Sequence, residues 1–241
     1  MTTMAAPKGK LYLIPVTLGD TDAGSVLPEA TLAVVRGLRR FIAENPKSAR
    51  RFLRSAGFPR PLREARIDTL DEHTGKGELP GLMAPLLAGE DCGLMSEAGC
   101  PAVADPGADL VRLAHAHGVP VLPLVGPSAI LLALMAAGLN GQRFTFHGYL
   151  PVESGERKRR LRELEDDAAR AGATQIFIET PYRSAALLQA VLAHCRGDTL
   201  LCVAADLTLT GEFVATRAIA DWKKKPPDLD RRPTVFLLLR E

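Results

Sequence analysis

Aromatic residues are scarce in this chain: eight Phe, three Tyr and one Trp, or 5% of 241 residues. So few rings leave little scope for stacking unpaired bases, which argues against reading a single strand by its bases. The four cysteines, Cys92, Cys100, Cys195 and Cys202, contain no C-x-x-C pair and have no His at metal-ligand spacing. That predicts no metal site and reduced thiols in a cytoplasmic setting. The turn after the first apolar strand, Pro15-Val-Thr-Leu-Gly-Asp20, lacks a G-x-G-x-x-G fingerprint, and no Walker A, H-E-x-x-H or G-x-S-x-G sequence occurs. Dinucleotide redox, P-loop, zincin and α/β-hydrolase chemistry are thereby set aside. Residues 1–10 have no apolar core of a secretory signal.

One long run, residues 119–139, carries no charge and is about the length of a membrane span. Pro120, Pro123, Gly126 and Pro127 crowd its first half, where a spanning helix would leave backbone groups unpaired in lipid. A strand, a glycine loop and a buried helix over 130–137 account for it, so no membrane partner is expected. The composition, 46% apolar and 24% charged, is that of a soluble globular protein. Net charge is only +2, but residues 36–66 hold ten Arg or Lys against Glu44 and Glu64, and a second cluster runs from Arg157 to Arg162. Concentrated positive charge attracts polyanions; a solvated helix face explains a single cluster equally well.

Strands are predicted over 10–16, 41–42, 67–70, 92–96 and 119–125, alternating with helices that start at Pro28 and over 48–56, 81–87 and 106–117. That alternation reads as a mainly parallel α/β domain. From 143 onward the order is strand 143–149, charged helix 156–171, strand 174–179, helix 185–194 and strands 199–205, 211–218 and 234–239, with 223–227 as a surface loop. Three consecutive strands without helices suggest a second domain with a mixed sheet. The boundaries are placed at 8–125 and 126–241.

Residues 94–107 form a glycine- and proline-punctuated loop that carries two carboxylates directly after an apolar strand, and Gly126-Pro-Ser-Ala129 follows another. Small residues after parallel strands let a nucleotide-like cofactor approach the backbone; Gly99 removes a blocking Cβ, while Pro101 and Pro106 stiffen the loop. Ordinary strand-to-helix turns share this spacing. Six segments extend the pattern in order: Leu11-Tyr-Leu-Ile-Pro15 with Gly19, Ser96-Glu-Ala-Gly-Cys-Pro101 with Asp105-Pro-Gly107, Pro123-Leu-Val-Gly-Pro-Ser-Ala129, Phe146-His-Gly-Tyr-Leu-Pro151, Glu179-Thr-Pro-Tyr-Arg183 and Ala204-Ala-Asp-Leu-Thr208. In these the chain resembles the tetrapyrrole-methylase-fold, S-adenosylmethionine-dependent methyltransferases. It is most similar to the branch acting on a ribose 2′-hydroxyl of small-subunit ribosomal RNA.

The resemblance implies two α/β domains with S-adenosylmethionine in a cleft between them, usually in a homodimer. Ser96, Gly99, Cys100 and Val103 would line the methionine end and ribose, and Ser128 and Ala129 the other edge. Ala205, Pro233, Thr234 and the backbone near Glu179-Thr180 would close on the adenine, positions that sheet packing alone also explains. Two departures stand out. Glu97 and Cys100 replace the family's usual Asp and Thr, and Ala43-Glu-Asn-Pro-Lys47 replaces an Ala-Glu-Asp-Thr-Arg-like run, which leaves substrate identity open.

A ribose hydroxyl is a poor nucleophile that benefits from a positioned base. Asp71-Glu-His-Thr74 matches a His-Glu-His-Asn-like segment of the family, so Glu72 or His73 is the expected proton acceptor with Glu44 nearby; His73 serves equally as an exposed turn residue. Arg50 and Arg51, with Arg157 and Arg159, are the expected phosphate contacts, part of a wider surface of Arg36, Arg39, Arg40 and Arg54. The expected partner is ribosomal RNA or the small subunit, not DNA. A tetrapyrrole or other small metabolite as substrate, and a catalytically silent RNA-binding protein, are the competing readings.

Overall fold

The computed structural model describes residues 7–240. Residues 1–6, within the segment read as lacking a signal, and residue 241, the end of the expected second domain, lie outside the described residues. The chain divides after Ser128 into two compact units.

In the first unit, β1 (Leu11–Ile14), β2 (Arg40–Ala43), β3 (Arg66–Thr69), β4 (Cys92–Met95) and β5 (Val121–Pro123) form one sheet in the order β3-β2-β4-β1-β5. Every pairing is parallel, as the alternation of strand and helix predicts. Side chains alternate across it. Ile14, Phe41, Ala43 and Met95 pack on one face with α1 (Ala23–Val26), α2 (Glu29–Gly37) and α3 (Pro46–Ser55). Leu11, Ile42, Cys92 and Leu94 pack on the other with α4 (Leu79–Leu87) and α5 (Ala108–Ala116).

The departure at Asn45-Pro46 acquires a local meaning. Helix α3 begins two residues earlier than predicted because Asn45 caps it, accepting from the backbone N–H of Lys47 (2.9 Å) and Ser48 (3.4 Å), with Pro46 in the first turn. Pro lacks the N–H that a first turn leaves unpaired anyway. Helix α1 was not anticipated; at four residues it is too short for periodicity to show.

The second unit holds α6 (Ala129–Ala137), β6 (Phe144–Tyr149), α7 (Ser154–Ala171), β7 (Thr174–Glu179), α8 (Ser184–His194), β8 (Leu200–Ala205), β9 (Phe213–Ala218), α9 (Ile219–Lys224) and β10 (Thr234–Leu239). Its sheet, β6-β7-β10-β8-β9, pairs β6 with β7 in parallel and is otherwise antiparallel, hence mixed. Leu161, Leu164, Phe177, Leu188, Trp222 and Phe236 form the core on one face. Two expectations are corrected here. A helix, α9, interrupts the supposed run of strands, and Lys223 and Lys224 close it instead of standing in a loop. Trp222 fixes that helix by burying its ring and donating Nε1–H to the Leu201 carbonyl at 2.8 Å, while lysines in a last turn complement the helix dipole.

The uncharged run 119–139 resolves into β5, a loop and α6, and among the described residues no helix is long and apolar enough to cross a membrane. Gly126 seats that loop: a Cβ there would come within 2.4 Å of Pro15 Cβ and 2.7 Å of Leu27 Cδ2. Gly126→Ala should therefore cost about 1–3 kcal/mol in urea unfolding through overpacking. Gly141→Ala, with nothing within 4 Å of the added carbon, should stay within about 0.5 kcal/mol of the parent. Equal midpoints for the two variants would contradict this packing.

Candidate active site

A parallel sheet brings all strand C-termini to one edge, and the order of this one creates a switch point. The chain leaves β1 towards the face of α2 and leaves the adjacent β4 towards the face of α5. Neighbouring strands whose connections part in this way open a crevice beyond their C-terminal ends, where α/β proteins bind ligands. Its lips are the turn after β1 and the loop after β4, joined where Val16 N–H donates to the Gly99 carbonyl at 2.9 Å.

The β4 loop is shaped by its own backbone. Gly99, Ala102 and Ala104 all have φ between 63° and 72°, a left-handed conformation that only glycine adopts without strain. A Cβ on Gly99 would meet Leu18 Cδ2 at 3.2 Å and the Pro127 carbonyl at 3.5 Å. This glycine therefore lets the β4 loop pack closely against Leu18 and Pro127. Cys100 ties the same loop to the next one, its thiol donating to the Pro127 carbonyl at 3.5 Å. Burial pushes that thiol's pKa up, so it acts as a donor and not as a thiolate. Ser96 donates to the Ala98 and Gly99 carbonyls. Val103 is exposed, and the Ser128 hydroxyl has no partner among the described residues.

Carboxylates gather along this edge. Glu44 follows β2, Asp71 and Glu72 follow β3, and Glu97 and Asp105 lie in the β4 loop. Partial burial first, then the charges of Asp105, Glu97, Glu72 and Asp71, push the Glu44 carboxyl above the usual carboxylate range. Asp105 is raised by burial and by Glu97, against a lowering hydrogen bond from Ser96. A small cavity of about 130 Å³ is lined by Thr17, Asp20, Ser48, Arg51, Ser96 and Glu97 among others, with Ser48 donating to Glu97 at 2.9 Å.

The other expected residues are dispersed. Glu72 and His73 stand on an exposed turn, 3.6 Å from each other, their side chains 80% and 84% accessible. Asp71 builds that turn by accepting from the Thr74 hydroxyl and the His73 N–H, which holds its carboxyl below the usual range. Arg51 reaches the small cavity, whereas Arg50 turns back towards the Pro46 carbonyl. Arg36 and Arg40, expected on an open basic surface, are bound internally: Arg36 to Glu29 and the Ala56 carbonyl, Arg40 to Asp68 and Glu90 at 2.7 and 3.0 Å.

In the second unit, Thr234 pairs with both Glu179 and Ala205, so these three form one row across the end of the sheet, next to Pro233. The Glu179 carboxylate is consumed by the Thr180 N–H and by Arg183 at 2.7 Å, which leaves backbone, not this side chain, to meet a ligand. Arg157 and Arg159 lie in the first turns of α7; Arg159 faces Glu163 at 3.7 Å, while Arg157 Nε is buried without a hydrogen-bond partner among the described residues. Asp105, within the Asp105-Pro-Gly107 run, is a member of the carboxylate cluster to which the sequence assigns no role. The Asp-Pro-Gly that follows a strand was its available signal.

These features define a class, an α/β enzyme with small-residue loops and titratable carboxylates at the C-terminal edge of a parallel sheet. Residues 10–221 match the tetrapyrrole (corrin/porphyrin) methylases, and the chain belongs to that family. It is a methyltransferase. It is 31% identical over 95% of its length to the ribosomal RNA small subunit methyltransferase I of Pseudomonas aeruginosa, covering 78% of that protein. It is 36% identical over 88% of its length to the protein of that name from Mesorhizobium japonicum, covering 69% of it. The crystal structure of the methyltransferase CobJ shares the fold, with a TM-score of 0.63 over 96% of this chain and 94% of that one at 18% identity.

The raised Glu44 carboxyl has a consequence for stability. A folded-state pKa above the unfolded one gives a contribution that is present at low pH and is lost as pH rises through the folded value. Glu44→Gln should therefore unfold at higher urea than the parent at pH 7, with the gap shrinking towards pH 4. A gap that widens on acidification would remove the carboxylate cluster as its cause.

Proposed function

We propose that this methyltransferase uses S-adenosylmethionine to methylate a ribose 2′-hydroxyl of small-subunit ribosomal RNA. The observation that carries the substrate is the match, over most of both chains, to relatives named as small-subunit ribosomal RNA methyltransferases. The donor supplies an electrophilic methyl group on a sulfonium cation. The carboxylate-rich edge of the first sheet fits that charge, since negative groups at low water exposure favour a cationic ligand. In the first unit the proposed donor contacts are Ser96, Gly99, Cys100, Val103 and the free hydroxyl of Ser128. In the second they are Ala129, the backbone at Glu179-Thr180, Ala205, Pro233 and Thr234.

Glu44 is the proposed proton acceptor for the ribose hydroxyl. A carboxylate whose proton affinity is raised by burial and by neighbouring charges is better matched to that task than an ordinary one. Glu72 and His73, exposed on their turn, form the second candidate pair. Arg50 and Arg51 on α3, and Arg157 and Arg159 on α7, are the proposed phosphate contacts. The reading carries with it a cytoplasmic enzyme working as a homodimer.

Tritiated methyl transfer tests this against purified small ribosomal subunits and against a tetrapyrrole and metabolite mixture. Label is expected in the RNA; label confined to small molecules overturns the assignment. Glu44→Gln should lower kcat by about 10²–10⁴-fold while calorimetric affinity for S-adenosylmethionine is kept. Ser128→Ala should instead weaken that affinity, by about 1 kcal/mol for one hydrogen bond.

A further inference from the structure

The carboxylates that suit a cationic donor create a difficulty for an RNA substrate, because phosphodiesters are repelled from that edge. The basic residues of 36–66 are sorted to answer it. Those on α3 lie beside the carboxylates, but a second group lies at the opposite, N-terminal edge of the same sheet. There Arg39, Arg60, Arg63 and Arg66 line a cavity of about 510 Å³ together with Glu64 and Glu90. A neighbouring cavity of about 470 Å³ shares Arg39 and Glu90 and adds Tyr12 and Asp91, so the two adjoin as a groove along this edge.

Four arginines line the groove against Glu64, Glu90 and Asp91, which leaves it positive by one charge. Glu90 is engaged by Arg40 at 3.0 Å, and Arg40 also holds Asp68 at 2.7 Å. Arg66 stands only 3.8 Å from Glu90, its side chain 68% accessible. The guanidinium groups of Arg39 and Arg63 have no hydrogen-bond or ion-pair partner among the described residues, and both residues are exposed. Arg60 is fixed in place: it donates to the Leu38 carbonyl at 3.2 Å and lies over the Phe58 ring at 5.7 Å. A guanidinium whose fork is already oriented loses less freedom when it grips a phosphate.

We propose that this arginine groove is a phosphodiester-binding site that holds the substrate RNA at the sheet edge opposite the methyl-transfer loops. The proposal rests on the reading of the protein as an RNA methyltransferase. Four-residue strands separate the two edges by only about 10 Å of chain rise, so a folded RNA spans both. Contacts of this kind give affinity and orientation without base specificity, which agrees with the scarcity of aromatic rings. The groove supplies the attraction that the donor edge withholds.

The test is the double variant Arg39→Gln/Arg63→Gln, with Arg66→Gln as a second variant should the first fold poorly, judged by thermal melting. Binding to small-subunit ribosomal RNA is measured across a salt series, separately from methyl transfer. The double variant should lose about tenfold in affinity near physiological salt, and the slope of log affinity against log salt should shrink by about two. KM for RNA should rise with kcat unchanged and S-adenosylmethionine binding intact. An unaltered slope and KM would overturn the groove. So would loss of inorganic phosphate binding with RNA binding unaffected, which would assign the site to free phosphate. If the parent binds the RNA but transfers no methyl group to it, the activity reading fails, and the salt slope still judges the groove.

Discussion

The parallel alignment of five short strands is the constraint on which the first unit depends. Hydrogen bonding in register sends every strand C-terminus to one edge, so residues far apart in the chain meet there regardless of their neighbours in sequence. Glu44, Asp71, Glu97 and Asp105 come from loops after three different strands, and burial together with their neighbours' charges raises the proton affinity of Glu44 and Asp105. The same crowding makes this edge negative. The β1–β4 switch point adds the crevice, and the bond between Val16 and Gly99 holds its lips together.

The opposite edge of that sheet carries the opposite charge. Arg39, Arg60, Arg63 and Arg66 collect where β2 and β3 begin, and Arg40 beside them pairs with Asp68 and Glu90. A sheet about four residues deep thus separates a negative edge, suited to the proposed sulfonium donor, from a positive one, suited to the proposed phosphate contacts. Mixing the two sets would satisfy neither ligand, since desolvated like charges and unlike charges compete at short range. The second unit contributes a differently built surface, a row of Glu179, Thr234 and Ala205 in which the one ionisable side chain is already bound by Arg183.

Much of the architecture was legible in local patterns. Apolar runs bounded by Gly and Pro marked the strands, and their alternation with helices implied a parallel sheet, because a crossover between parallel strands needs a helix-sized connection. The loops after β4 and β5 were legible as candidate ligand contacts from their glycine and proline content. Helices α1 and α9 were not, since α1 is four residues long and α9 owes its place to the burial of Trp222. The oddity at Asn45-Pro46 was visible, but its resolution as a helix cap required knowing where α3 starts. Glu72 and His73 stand out in the sequence through the likeness of Asp71-Glu-His-Thr74 to a family segment, and their exposure on a turn is a property of the folded chain.

By itself the sequence determined the class of fold and the family, because each is written in residues close together along the chain. Tertiary structure alone decided which charged groups act together. It took Arg36 and Arg40 out of the open basic surface, divided the remaining arginines between two edges, and raised the proton affinity of Glu44 and Asp105. The physical reason is range: electrostatic coupling of this strength acts over a few ångströms, and only folding sets those distances between residues dozens of positions apart.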